Sequence, residues 1–244
     1  MNLIFKHAGA ALGMVFAVSA IAAPILPTYD TFGPLAGVTF GGTGIPNDPV
    51  AISNLYMNTA GQALTMGLSA TPRFSGVVTN DGMGTYSAAA GVSPNAPSPA
   101  NPYAVWNFNS YIGGAAASSL FFQLFYDFDP TVGNLESTHG TVRLTGAAAV
   151  TLSPNGSSSN LGFDSLETSG TAVVGPFSII TVAPGGTFNP NASGQYTFAL
   201  VAYTDSLYTN AVARTAIAVN VPEPGTFALA GLALLGLVAA RRRA

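Results

Sequence analysis

The chain contains no cysteine. An exported fold built from it gains no disulfide, and thiol catalysis and thiolate metal sites are excluded. Charge is scarce as well, at 7% of residues. Of the seven basic residues, Lys6, Arg241, Arg242 and Arg243 lie near the two ends, leaving only Arg73, Arg143 and Arg214 between them. From Ala23 to Val221 these three arginines face nine carboxylates, a net charge of −6. A basic footprint for nucleic acid or anionic lipid is therefore absent. Histidine occurs only at His7 and His139, so a Ser-His-Asp arrangement in the body would have to use His139. There is no Gly-x-Ser-x-Gly elbow.

What is present is most informative at the ends. Lys6 and His7 precede an apolar run from Ala8 to Ala20, and Ala20-Ile21-Ala22 has the small-x-small form of a signal-peptidase site. We expect residues 1–22 to form a signal-peptide helix that is cut after Ala22, leaving Ala23-Pro24 as the new terminus. At the other end Pro222-Glu223-Pro224 interrupts regular structure, because each proline fixes φ and lacks an N–H donor. An uncharged stretch rich in Leu and Ala follows from Phe227 to Ala240, and Arg241-Arg242-Arg243 closes it. As a helix that stretch measures about 21 Å, against about 30 Å of bilayer hydrocarbon. It is marginal as a permanent anchor and sufficient as a transient handle.

The sequence of Pro222, Glu223 and Pro224, a short hydrophobic helix and the cluster Arg241, Arg242, Arg243 resembles the PEP-CTERM sorting signal of Gram-negative bacteria. Two body segments are similar to recurring pieces of one PEP-CTERM subgroup. They are Phe125-Tyr126-Asp127-Phe128-Asp129-Pro130 through Asn134, and Phe188-Asn189-Pro190 through Tyr196. The resemblance implies signal peptidase and an exosortase as processing partners. It further implies transient residence in the inner membrane and a final place in the envelope, at the surface or in the extracellular matrix. Association with exopolysaccharide, biofilm or floc comes with it. No catalytic residues do.

Between the ends, short apolar runs recur every ten to fifteen residues, broken by Gly, Pro, Asn and Asp, with no convincing amphipathic helix. That pattern predicts an all-β body, an antiparallel β-sandwich or jelly roll, over residues 23–220, followed by the sorting signal at 221–244. Ser118–Phe128 is the best-marked core strand. Leu120, Phe122, Leu124, Tyr126 and Phe128 line one face, with Phe121 and Phe125 on the other, so it belongs in the middle of the architecture. Gln195–Tyr203 and Ala211–Val221 are also expected strands. So are Val50–Asn58, Ala63–Ala70, Ala104–Ile112, Thr141–Thr145, Ala147–Leu152, Leu161–Leu166, Thr171–Val174 and Phe177–Val182. Val38-Thr39-Phe40 reads as a short extended piece, and Asp81-Gly82 between Gly76–Thr79 and Thr85–Ala89 signals a hairpin.

Three kinds of chemistry are conceivable in the body. Asp127, Asp129 and Glu136 surround a loop containing Gly133-Asn134, and oxygen ligands clustered in a loop suit Ca²⁺. Asp-x-Asp at a strand end equally suits a solvated turn. Sugar stacking would use Tyr103, Trp106 and Tyr111, with Tyr203 and Tyr208 as further rings. Trp106 alternates with Ala104 and Phe108, however, which favours the core. Asp127 and Asp129 have the separation of a glycosidase pair but share one strand end instead of facing each other across a cleft. The expectation is a non-enzymatic protein without a cofactor.

Overall fold

The computed structural model describes residues 23–74, 76–98 and 102–223. The expected signal peptide, residues 1–22, and the tail beyond Glu223 lie outside the described residues. In chain order the strands are β1 Thr31–Gly33, β2 Val50–Ser53, β3 Thr65–Pro72, β4 Val78–Asn80, β5 Thr85–Ala88, β6 Trp106–Gly113, β7 Phe121–Tyr126 and β8 Gly140–Thr145. Helix α1, Gly146–Leu152, precedes β9 Ser157–Ser159, and helix α2, Asp164–Glu167, precedes β10 Gly170–Val174, β11 Phe177–Val182, β12 Gly194–Tyr203 and β13 Ala211–Val221. They form two packed sheets. The smaller has the order β1-β2-β3-β6-β9 and the larger β10-β11-β8-β7-β12-β13-β5-β4. The body is an all-β sandwich. One pairing departs from the antiparallel rule: β13 runs parallel to β5, with Val219 opposite Tyr86.

Aromatic rings fill the space between the sheets. Phe108 of β6 stacks on Phe198 of β12 at 4.7 Å, while Trp106 meets Tyr196 at 5.7 Å and Phe198 at 6.2 Å. Strand β7 lies between β8 and β12, as its doubly apolar pattern requires. Phe122 and Tyr126 are fully buried on the inner face. On the outer face Phe125 packs with Ile25, Ala199 and Ala216. The N-terminal segment therefore covers the back of the larger sheet before Thr28 pairs with Ala216 of β13.

Several expected strands are something else. Ala147–Leu152 is within α1: three consecutive alanines favour a helix, and the Thr145 hydroxyl caps it by accepting from the Ala148 N–H at 3.2 Å. Leu161–Leu166 is a turn entering α2. The strand expected over Val50–Asn58 stops at Ser53, because the Asp30 carboxylate captures the N–H groups of Asn54 and Leu55 and turns the chain away. Val38-Thr39-Phe40 is a turn, with Phe40 at φ +50°. The Asp81-Gly82 hairpin does join β4 to β5.

Burial raises the phenols of Tyr86, Tyr126 and Tyr196 well above their ordinary value of 10.0. Tyr126 donates to the Leu166 carbonyl at 2.7 Å, and Tyr86 to that of Pro49. A phenol raised in the fold contributes stability that is complete below its unfolded value and is lost as pH rises through the folded one. Stability should therefore fall above about pH 10. Phenolate absorbance for these three rings should appear together with loss of β-sheet circular dichroism; titration near pH 10 in a still-folded protein would contradict this.

Candidate functional site

The sorting end grows directly out of the sandwich. Strand β13 pairs with β12 along its whole length, from Ala211 opposite Tyr203 to Val221 opposite Gly194. Val221 is buried, Pro222 is half-buried and Glu223 is exposed. Gln195 Nε2 donates to Asn220 Oδ1 at 2.9 Å, one residue before the register ends. No linker separates the last paired residue from the Pro-Glu-Pro sequence. A shallow groove lined by Ser87, Val132, Gly194, Asn220, Pro222 and Glu223 marks the exit. Gly194 is required there, since it has φ +138° and a Cβ would run into the Pro130 carbonyl.

The N-terminal end of the described residues sits nearby. Ala20 and Ala22 lie outside the described residues. The Ala23 carbonyl accepts the Glu136 N–H at 3.1 Å, and Pro24 forms a bridge with Leu135. Val132 lines the exit groove of the other terminus. One loop, residues 130–136 between β7 and β8, therefore holds both ends at the same pole.

The wider connection between β7 and β8, residues 127–139, contains the three acids expected to surround a cation, and the structure gives each a different task. Asp127 is 2% exposed. Its Oδ2 accepts from Thr197 N at 3.0 Å, Thr197 Oγ1 at 2.9 Å and Asn134 Nδ2 at 3.2 Å, and lies 3.1 Å from His139 Nε2. Asp129 is exposed and closes a turn by accepting the Thr131 N–H at 2.9 Å. Hydrogen bonds from the Thr131 side chain and backbone hold its carboxyl below the usual range. Glu136 is bound two-pronged by Arg214 of β13, with contacts of 2.6 and 3.2 Å. The three do not converge. Among the described residues no group of three His, Asp or Glu is arranged to hold a metal ion.

His139 and Thr197 are members of this cluster that the sequence did not reveal. His139, the histidine that a Ser-His-Asp arrangement would have to use, is 7% exposed, with Nδ1 3.0 Å from the Leu135 carbonyl and Nε2 2.7 Å from Thr197 Oγ1. A catalytic relay places the carboxylate on one ring nitrogen and the nucleophile on the other. Here the hydroxyl and the carboxylate crowd the same nitrogen, an arrangement that clamps the 127–139 loop onto β12.

The proposed stacking rings are also redistributed. Trp106 is 2% exposed and belongs to the core, so its face is not available to a sugar. Tyr103 is half-buried between the Arg73 guanidinium, 4.7 Å from its ring centre, and Phe163, edge-on at 5.0 Å. Tyr111 packs on the small cluster of Leu35, Val38, Phe40, Val50 and Ile52. Tyr103 precedes β6, whereas Tyr111 lies within it, near its far end. Tyr203 and Tyr208 meet edge-on at 5.4 Å, with Arg143 over Tyr208 at 4.8 Å.

A cavity that the sequence did not suggest opens along the side of the sandwich. The larger sheet extends two strands past β8, while the smaller one ends at β9. Helices α1 and α2 span the gap incompletely, leaving a cleft of about 710 Å³. Its floor is formed by Leu124, Val142, Leu144, Ile179 and Leu200 of the larger sheet. Ser157 and Ser159 of β9 stand on the opposite wall, placed by the buried Asn160, whose amide donates to the carbonyls of Ala104 and Trp106 at 3.0 and 2.8 Å.

Comparison with known proteins adds to the sequence and the fold, which together describe a β-sandwich with a signal attached to its last strand. The family model of the PEP-CTERM protein-sorting motif matches residues 220–243. The chain thus carries a PEP-CTERM motif, which marks an exosortase-targeted, exported protein of the cell envelope or surface. No curated protein and no solved structure matches it. Among the described residues no helix is long and apolar enough to cross a membrane, and the apolar run Phe227–Ala240 lies outside them.

Proposed function

We propose that the body is a non-enzymatic component of the envelope or extracellular matrix, associated with exopolysaccharide in biofilm or floc and delivered there by processing at both ends. The observation that supports this reading is the direct junction between β13 and Pro222. Because β13 is central to the larger sheet, cleavage before Val221 would leave the sandwich without part of that strand. Cleavage at or beyond Pro222 leaves the fold intact. Signal peptidase has a complementary constraint: it must cut after Ala22 before Ile25 docks, since Ala23 is already hydrogen-bonded in the fold. A hydroxyl- and amide-rich body with three arginines and no lysine suits neutral or calcium-bridged polysaccharide better than direct pairing with polyanions.

Intact mass and cell fractionation test the processing, in the wild type and in the double variant Pro222→Ala/Glu223→Ala. The wild type should begin at Ala23, end between Pro222 and Thr226, and leave the inner membrane. The variant should stay uncut and membrane-bound. A full-length tail in the wild type, unchanged by the substitution, would reduce the tail to a plain anchor. Co-sedimentation with exopolysaccharide from the same cells tests the matrix role separately, and failure to pellet with it would remove that role alone.

A further inference from the structure

From the side cleft we infer that the body binds one uncharged amphiphile, a molecule with an acyl-like chain and a neutral hydroxyl or ester head. The inference is independent of the tail. Elsewhere the two sheets are joined by large rings such as Trp106, Phe122, Tyr196 and Phe198. In the cleft Phe108 is the one ring of the lining, and with it stand the small residues Ala148, Ala149, Ser157, Ser159, Gly170 and Ala172. Protein interiors rarely leave such space unfilled, and a concave apolar cavity of this size is the usual form of a small-molecule site. At about 30 Å³ per water-sized group, it accommodates about twenty non-hydrogen atoms.

Chemistry narrows the occupant further. The deep surface is aliphatic, contributed by Leu124, Val142, Leu144, Leu166, Ile179 and Leu200, which suits a chain more than a planar polar ring. Toward the rim the polar groups are hydroxyls, including Ser153, Ser165, Thr168 and Thr171, with Asp164 as the one carboxylate. Among the described residues lining the cleft there is no Lys, Arg or His. Arg143, the cation on adjacent β8, is directed away, toward Gln123 and Tyr208 on the outer face. A fatty-acid carboxylate or phosphate head would thus enter beside Asp164 without a cationic partner, whereas a glycerol or ester head finds hydroxyl partners.

The test uses native protein purified without detergent and the uncharged fluorophore N-phenyl-1-naphthylamine. Fluorescence should saturate at one probe per chain. Monolauroylglycerol should displace the probe at a concentration at least tenfold below that needed for laurate at pH 8. Ala149→Trp places an indole in the cleft and should weaken probe binding at least tenfold, with the melting temperature unchanged or raised. Ser157→Trp approaches from the opposite wall and serves should the first variant fail to fold; the chain-length-matched competition needs no variant. Non-saturable binding, equal or tighter binding of laurate, or undiminished binding in a folded filled variant would each overturn the inference.

Discussion

Asp127→Ala should lower the stability of the body by about 3–5 kcal/mol, the effect of leaving buried polar groups without their common partner. For a domain of this size the melting temperature should fall by roughly 10 °C. Four groups converge on Oδ2: the Thr197 amide and hydroxyl, the Asn134 amide and the His139 ring. Removing the carboxylate orphans the Thr197 N–H just beyond the last residue pair of β7 and β12, and releases the loop that holds both termini. The effect should therefore extend beyond stability. Amide exchange at Glu136, whose N–H is bonded to Ala23, should accelerate, and so should exchange at Gln195, bonded to Pro130. Glu136→Gln is the contrast. Its ion pair with Arg214 is about 30% exposed, and such a pair contributes about 1 kcal/mol or less. Equal losses for the two substitutions would show that the buried cluster does not have the anchoring role assigned to it.

How much of this was readable beforehand depends on the kind of signal. β7 and β12 were legible because alternation of large apolar residues has one period in sequence and one meaning in a sandwich. The sorting motif was legible because its three parts differ in local physics. α1 was missed because Ala147–Leu152 is apolar and short, where length and periodicity do not separate helix from strand; the deciding features were the alanine run and the Thr145 cap. β9 was missed because it consists of three serines, with a strand signal only in its pairing to Phe108–Ser110. The acid cluster was half legible. Asp127 announced itself at a strand end, but its partner Thr197 is 70 positions away, and the partner of Glu136, Arg214, is 78 away. The side cleft had no sequence signature, since it arises from a mismatch between two sheets of five and eight strands.

Trp106→Ala should be the most damaging single substitution in the smaller sheet, costing about 3–5 kcal/mol for a fully buried aromatic. The indole is 2% exposed and touches both Tyr196 and Phe198 of the facing sheet, so its loss removes ring contacts that join the two layers near the sorting pole. The space left cannot be refilled by Ala104 or Phe108 without moving β6, whose register with β3 is fixed over eight residue pairs. Thermal melting of this variant should show a shift of roughly 10 °C or more. Any loss of exopolysaccharide binding should track the folded fraction. Tyr103→Ala separates the two explanations. Its ring lies half-buried between Arg73 and Phe163, so the expected stability loss is smaller, about 1 kcal/mol from the cation–π and edge contacts. A Trp106→Ala protein with an unchanged melting temperature but no polysaccharide binding would return the indole to a ligand-facing role. An unfolded one at assay temperature would fix it as the pin between the sheets, and any sugar contact would then have to be sought on half-exposed rings such as Tyr103, Tyr111 or Tyr208.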